Sequence, residues 1–202
     1  QRNKTTNIFI KALDKQGSSI QRTTRTAIMD FSYSPDGKYI CFSEKRGKST
    51  QIFQTSAEKG YVCRQFSNAN NDFAPVYTND MKQILFTRQE NKSYSIWSYN
   101  IASNFLSSYT SGINPYPTNE STTYICSRIS NEGRGEIWKI NYETGVEECI
   151  ISSSEHSFAS PRISPCGQWV MFVGSSCIAI GEKGKYWNTD IYVARTDGTD
   201  LS

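Results

Sequence analysis

The chain has 202 residues and a net charge of +3, from 22 basic and 19 acidic side chains. That length suits one larger domain or two small ones, the mild charge does not by itself imply a nucleic-acid partner, and at 37% hydrophobic the chain can bury a core. No run approaches the roughly 18 apolar residues of a membrane helix, and the start "QRNKTTNIFI" has no apolar signal region, so it reads as a mature or truncated chain.

In chain order, the first predicted elements are two short strands in "TNIFIKALDKQGSSIQRTT". Four strands follow, near 27–33 (A), 38–43 (B), 50–56 (C) and 61–66 (D). Asp36-Gly37 supplies the positive φ of the A–B turn. Strand B, Tyr39-Ile40-Cys41-Phe42, is almost continuously apolar, as a strand covered on both faces should be. Strand D, "YVCRQF", is mixed, as suits an outer edge. The same order is expected again near 71–110, 113–152 and from 157 onward. No window keeps apolar residues at i, i+3, i+4 and i+7, so no helix is expected.

These units are copies of one another. A small polar residue opens each A–B turn (Ser34, Thr78, Thr118, Ser164), and Phe42, Phe86, Cys126 or Phe172 stands eight residues on. An isoleucine followed by an aromatic recurs on strand C: Ile8-Phe9, Ile52-Phe53, Ile96-Trp97, Ile137-Trp138 and Ile191-Tyr192. The isoleucines lie 44, 44, 41 and 54 residues apart. Alternation along strand C aims the two side chains of each pair at opposite faces of the sheet. Pro75, Pro115 or Pro161 stands three residues before the turn, with Phe31 in the first copy.

A period of four short strands predicts an all-β fold, a β-propeller of four-stranded antiparallel blades. The phrases "FSYSPDGKYICF" and "PRISPCGQWVMF … TDIYVARTDGTD" resemble the PD40, or WD40-like, repeat of TolB-type β-propellers, and "PVYTNDMKQILF" and "PYPTNESTTYIC" are worn copies. The resemblance spans essentially the whole chain. The expected organisation is a single domain of about five blade units, near 1–25, 26–69, 70–111, 112–153 and 154–202. Three are complete and the terminal two partial. Either further strands complete a longer propeller, or the N-terminal strand closes a compact ring of fewer blades.

Antiparallel strands segregate the connections, so the B–C loops share one end with the D–A loops. The B–C loops are expected at 44–49, 88–93, 128–135 and 174–189, and each carries more basic than acidic residues. That end could favour an anionic or acidic partner, or the charges could simply be solvated. The last loop, "GSSCIAIGEKGKYWNT", is the longest and sets cations beside aromatics. The candidate partner-binding residues are Arg46, Arg88, Arg128, Lys183, Lys185, Tyr186 and Trp187. Tyr186 and Trp187 either bind or pack back onto the neighbouring blade.

Catalytic signals are missing. His156 is the only histidine, no G-x-S-x-G elbow accompanies it, and it is expected on the surface or at a channel rim. Asp36, Asp80 and Glu120 recur at the A–B turns, one per blade, and are expected to stabilise those turns. One histidine and scattered cysteines argue against a zinc site, and no phosphate cradle appears, so no cofactor is expected. Cys41 and Cys126 fall on strand B, Cys63 and Cys149 on strand D, too far apart to bridge; Cys166 and Cys177 sit at opposite ends of one strand. The resemblance implies a non-enzymatic scaffold in a bacterial periplasm that binds a protein or peptide. Alternatives are glycan or small-ligand binding, or the propeller part of a larger hydrolase. Neither nucleic acid nor a membrane span is expected.

Overall fold

The computed structural model describes residues 6–13, 18–24, 27–58, 63–67, 71–179 and 185–202, with the backbone alone for 177–179 and 185–187. Among the described residues every regular element is a strand, and there are seventeen. The chain divides into two compact units, Gln1–Ser108 and Tyr109–Ser202.

In the first unit, β1 (Phe9–Ile10) pairs with β2 (Ile20–Gln21). Then come β3 (Ile28–Tyr33), β4 (Tyr39–Arg46), β5 (Ser49–Ser56) and β6 (Cys63–Gln65), each antiparallel to the one before. These match the predicted strands A to D, with strand B longer than expected. A second set follows: β7 (Asn71–Tyr77), β8 (Gln83–Glu90), β9 (Ser93–Asn100) and β10 (Phe105–Ser111). One parallel pair, Thr50 with Asn71, links the two sets.

The second unit holds β11 (Ile113–Pro117), β12 (Thr123–Ile129), β13 (Gly135–Asn141) and β14 (Glu147–Ile151) in sequential order. It ends with β15 (His156–Ile163), β16 (Trp169–Ala179) and β17 (Lys185–Arg195). After β17 the chain turns, and Ser202 exchanges both backbone hydrogen bonds with Val193 at 2.9 and 3.0 Å.

The A–B turns behave as their sequence predicts. Asp36 Oδ1 accepts from Ser34 Oγ at 2.6 Å and from the Lys38 N–H at 3.1 Å. Asp80 repeats this with Thr78 and Lys82 at 2.7 and 3.0 Å. Glu120 departs from the pattern: one methylene longer, its carboxylate instead takes Lys139 Nζ at 2.8 Å on β13.

Each first strand of the repeat carries a β-bulge. The register slips between Ile28 and Phe31, Phe73 and Val76, Ile113 and Tyr116, and Ala159 and Arg162. In the last three copies the residue at the slip is left-handed: Ala74 at φ 51°, Asn114 at 55° and Ser160 at 55°. The recurrent proline comes directly after it. An unpaired bulge position tolerates a residue without an N–H, which accounts for these prolines.

The bulges also tie neighbouring copies together within each unit. The Ala74 N–H donates to Asp30 Oδ2 at 3.3 Å. The Ser160 N–H donates to Ser127 Oγ at 3.0 Å, and Asn114 Nδ2 donates to Ser160 Oγ at 3.1 Å. Apolar packing follows the same junctions. Cys41 and Ile52 pack with Tyr77, Ile84 and Phe86. Ile125 and Ile137 pack with Phe158, Ile163, Val170 and Phe172. A third cluster joins Ile8 to Ile28, Ile40, Phe42 and Phe53. Each fully buried large apolar side chain stabilises the fold by about 1.5–3 kcal/mol.

Candidate functional site

The expected B–C loops are mostly strand. Arg46 pairs with Ser49 and Glu90 with Ser93, so the first two turns shrink to Gly47-Lys48 and Asn91-Lys92. Gly47 and Asn91 take the left-handed φ that so tight a reversal needs. Ile129 pairs with Gly135 across the third.

The long loop expected at 174–189 is corrected to a hairpin. β16 and β17 pair without a break from Gly174–Asp190 to Ala179–Lys185. β15 stops at the pair His156–Ser176, so beyond it β16 and β17 run on as a two-stranded ribbon. Continuing the ladder satisfies backbone groups that an irregular loop would leave to solvent. Lys183 lies outside the described residues. The backbones of Lys185, Tyr186 and Trp187 stand on β17, opposite Ala179, Ile178 and Cys177; their side chains lie outside the description.

The three candidate arginines are placed on the aromatic partner of the isoleucine pair. Arg46 lies 4.5 Å over Phe53, Arg88 4.0 Å over Trp97 and Arg128 4.6 Å over Trp138. Each also has an acid. Arg46 Nη2 is 3.1 Å from Glu44 and its side chain is half exposed. Arg88 is buried and grips Asp72 through two bonds, 2.7 and 2.9 Å long. Arg128, 11% exposed, donates to Glu147 at 2.7 Å, to the Ser111 carbonyl and to Thr110 Oγ1. Arg88 and Arg128 therefore hold strands together, their charges answered by Asp72 and Glu147. In the fourth copy Gly174 takes the Arg88 position. A Cβ there would lie 2.5 Å from the Tyr192 ring, so the glycine makes room for that ring.

A groove of about 280 Å³ lies at the opposite end of the β11–β14 sheet, lined by Glu120, Thr123, Lys139, Asn141, Thr144, Val146 and Glu148. Nothing in the sequence marks it: Glu120 occupies a turn position, and Lys139 sits on an alternating strand. The Lys139 ammonium holds the Glu120 carboxyl below the usual carboxylate range.

His156 is half buried rather than free on the surface. Its ring lies parallel to Phe158 at 6.2 Å and meets Tyr192 edge-on at 5.7 Å. Among the described residues no cluster of three or more His, Cys, Asp or Glu could hold a metal. Cys41, Cys63, Cys126, Cys149 and Cys166 are free thiols. Burial pushes Cys41 and Cys126 up to about 12. Cys166 is held below the ordinary thiol value by Ser164 Oγ and the Gln168 N–H, in the place Asp36 and Asp80 fill in their turns.

No family model matches the chain. No curated protein matches it either. Solved structures do. A protein described as a TolB from Agrobacterium tumefaciens superposes with a TM-score of 0.83 at 18% identity, covering 97% of this chain and 72% of that one. TolB from Acinetobacter baumannii gives 0.78 at 17% identity, with 97% of this chain and 48% of that one covered. An oligogalacturonate lyase from Vibrio parahaemolyticus gives 0.65 at 15% identity, with 98% and 58% covered. The chain thus has the TolB-type β-propeller fold and spans from about half to about three quarters of these neighbours.

Proposed function

We propose that the chain is a non-enzymatic β-propeller interaction scaffold that takes a protein or peptide partner through the β16–β17 ribbon. One observation carries this reading: among the described residues that hairpin runs three pairs past its neighbouring strand, against two in β4–β5 and β12–β13 and one in β8–β9. Its sequence sets Lys183 and Lys185 beside Tyr186 and Trp187. Aromatic anchors beside cations are the usual chemistry of binding hot spots, and they favour an acidic partner. Arg46, half exposed on the neighbouring type of turn in its own sheet, has the same character.

The lone histidine packed among aromatic rings supports the non-catalytic reading. The likeness to TolB proteins supports a partner in a bacterial cell envelope and a periplasmic location. Capture from an envelope extract tests the proposal. The wild-type chain should retain a discrete protein, and Trp187→Ala with Lys185→Ala should lose at least about tenfold of it. Equal capture by the variant would sink the ribbon as the binding element. Retention of a glycan, lost on Trp187→Ala, would replace the protein partner with a carbohydrate.

A further inference from the structure

We infer that Tyr109 and Tyr142 form an oxidative cross-linking site, at which a one-electron oxidant joins the two rings through a carbon–carbon bond. The β12–β13 ladder builds the site. Tyr124 on β12 is paired with Ile140, and the Tyr142 N–H, just past β13, donates to the Thr122 carbonyl at 3.0 Å. Tyr124 and Tyr142 are therefore diagonal neighbours on one face of the sheet, within reach for aromatic side chains. Arg128 brings in the third ring. It holds the end of β10 through the Ser111 carbonyl and Thr110 Oγ1, both at 2.9 Å, and Tyr109 directly precedes them. The Tyr109 ring lies 5.3 Å from that of Tyr142, with 14° between the planes, and 6.3 Å from that of Tyr124. Tyr124 and Tyr142 are 6.5 Å apart. Offset, nearly parallel rings at such distances set ring edges against each other.

Each phenol gives one electron to the oxidant and its hydroxyl proton to solvent. The two neutral phenoxyl radicals then pair their electrons in a bond between ring carbons ortho to the oxygens. The two ortho hydrogens move to the oxygens and restore the phenols. Two C–H bonds are lost and one C–C bond is gained. With a haem peroxidase as the oxidant, the two electrons and two protons end on hydrogen peroxide, which becomes water. Burial selects the pair. Tyr109 and Tyr142 are half-buried, and the Tyr142 hydroxyl donates to the Ser121 carbonyl at 2.8 Å in an exposed position. Tyr124 is 0% exposed and its hydroxyl has no hydrogen-bond partner, so nothing beside it can take its proton. Tyr33 and Tyr39 are more open, at 47% and 40%, yet among the described residues no ring stacks on either. Tyr33 is paired with Ile40, so Tyr39 stands on the opposite face, and radicals at these two positions couple only with another molecule.

Oxidation of the intact protein with a haem peroxidase and hydrogen peroxide tests this, read by peptide mapping and dityrosine fluorescence. The expected product is one peptide pair joined through Tyr109 and Tyr142, lighter by two hydrogens than its parts. Its yield should not depend on protein concentration. Unfolding in urea before oxidation should lower that yield at least about tenfold, because the folded chain supplies the proximity. Tyr109→Phe and Tyr142→Phe should each abolish the product, and Tyr124→Phe should leave it. The wild-type map decides even where a variant fails to fold. A cross-link through Tyr124, an equal yield from the unfolded chain, or the absence of any cross-link overturns the inference. So does coupling only between molecules through Tyr33 or Tyr39, recognised by its growth with concentration.

Discussion

Arg88 and Asp72 face each other across β7 and β8 and form a two-pronged ion pair, Nε to Oδ1 at 2.7 Å and Nη2 to Oδ2 at 2.9 Å. The side chains are 8% and 0% exposed. Removing one partner leaves the other charge buried without compensation, which costs about 3–5 kcal/mol. Arg88→Ala should lose that much in urea unfolding. The double variant Arg88→Met with Asp72→Leu should recover most of it. A single-variant loss below about 1 kcal/mol would show that water reaches the pair.

Acid should unfasten the Arg128–Glu147 pair. The Arg128 hydrogen bond holds the Glu147 carboxyl below its ordinary value. A lowered folded pKa gives stability that is present above the unfolded value and is lost as pH falls through the folded one. Glu147→Gln should therefore be less stable than wild type at pH 7. The gap should close as pH falls below about 4. Chemical denaturation at a series of pH values reads this directly; a gap that stays constant in acid would assign the loss to packing.

Thiol chemistry should rank the five described cysteines. Cys166 is exposed, and its thiolate is favoured by Ser164 Oγ and the Gln168 N–H. Cys41 and Cys126 are buried thiols pushed up to about 12. At pH 7.5 the native chain should modify Cys166 at least about 100-fold faster than either. Peptide mapping after brief treatment with a disulfide reagent gives the order, and early labelling of Cys41 would contradict the packing around it.

Met81 stands at the turn position that Gly37 and Gly167 fill in other copies, and all three are left-handed, at φ 59°, 71° and 74°. A side chain there costs roughly 1 kcal/mol. Met81→Gly should therefore raise stability by up to about 1 kcal/mol, less the entropy that glycine adds to the unfolded chain. Gly37→Met should lower it. Thermal unfolding distinguishes the two signs.

The repeat was legible because packing demands it. A strand covered on both faces must read like Tyr39-Ile40-Cys41-Phe42, and the strands lie close to where that pattern put them. The arginines were harder. The sequence shows the charge of Arg88 but not Asp72, 16 residues upstream, that absorbs it. The ribbon was misread because Gly174, Ser175 and Ser176 have loop-like composition, while cross-strand pairing to Asn188, Thr189 and Asp190 keeps them in a ladder. The bulges left only a proline as their trace, and the groove beside Lys139 left none.

The extra residue in each inner strand acts as a phase shift. Asp72 aligns with Arg88 but Tyr77 with Ile84, so residues five apart share a face where four would be expected. Below the shift, that face presents Tyr77 to the core; above it, the same face presents Asp72 to a cation. Deleting Ala74 would make the ladder regular with Asp72 still opposite Arg88, and would remove the backbone N–H that donates to Asp30. The strand thus carries two alphabets, hydrocarbon at one end and charge at the other, with the bulge standing between them. Variation in the charged half can proceed without rewriting the half that holds the fold together.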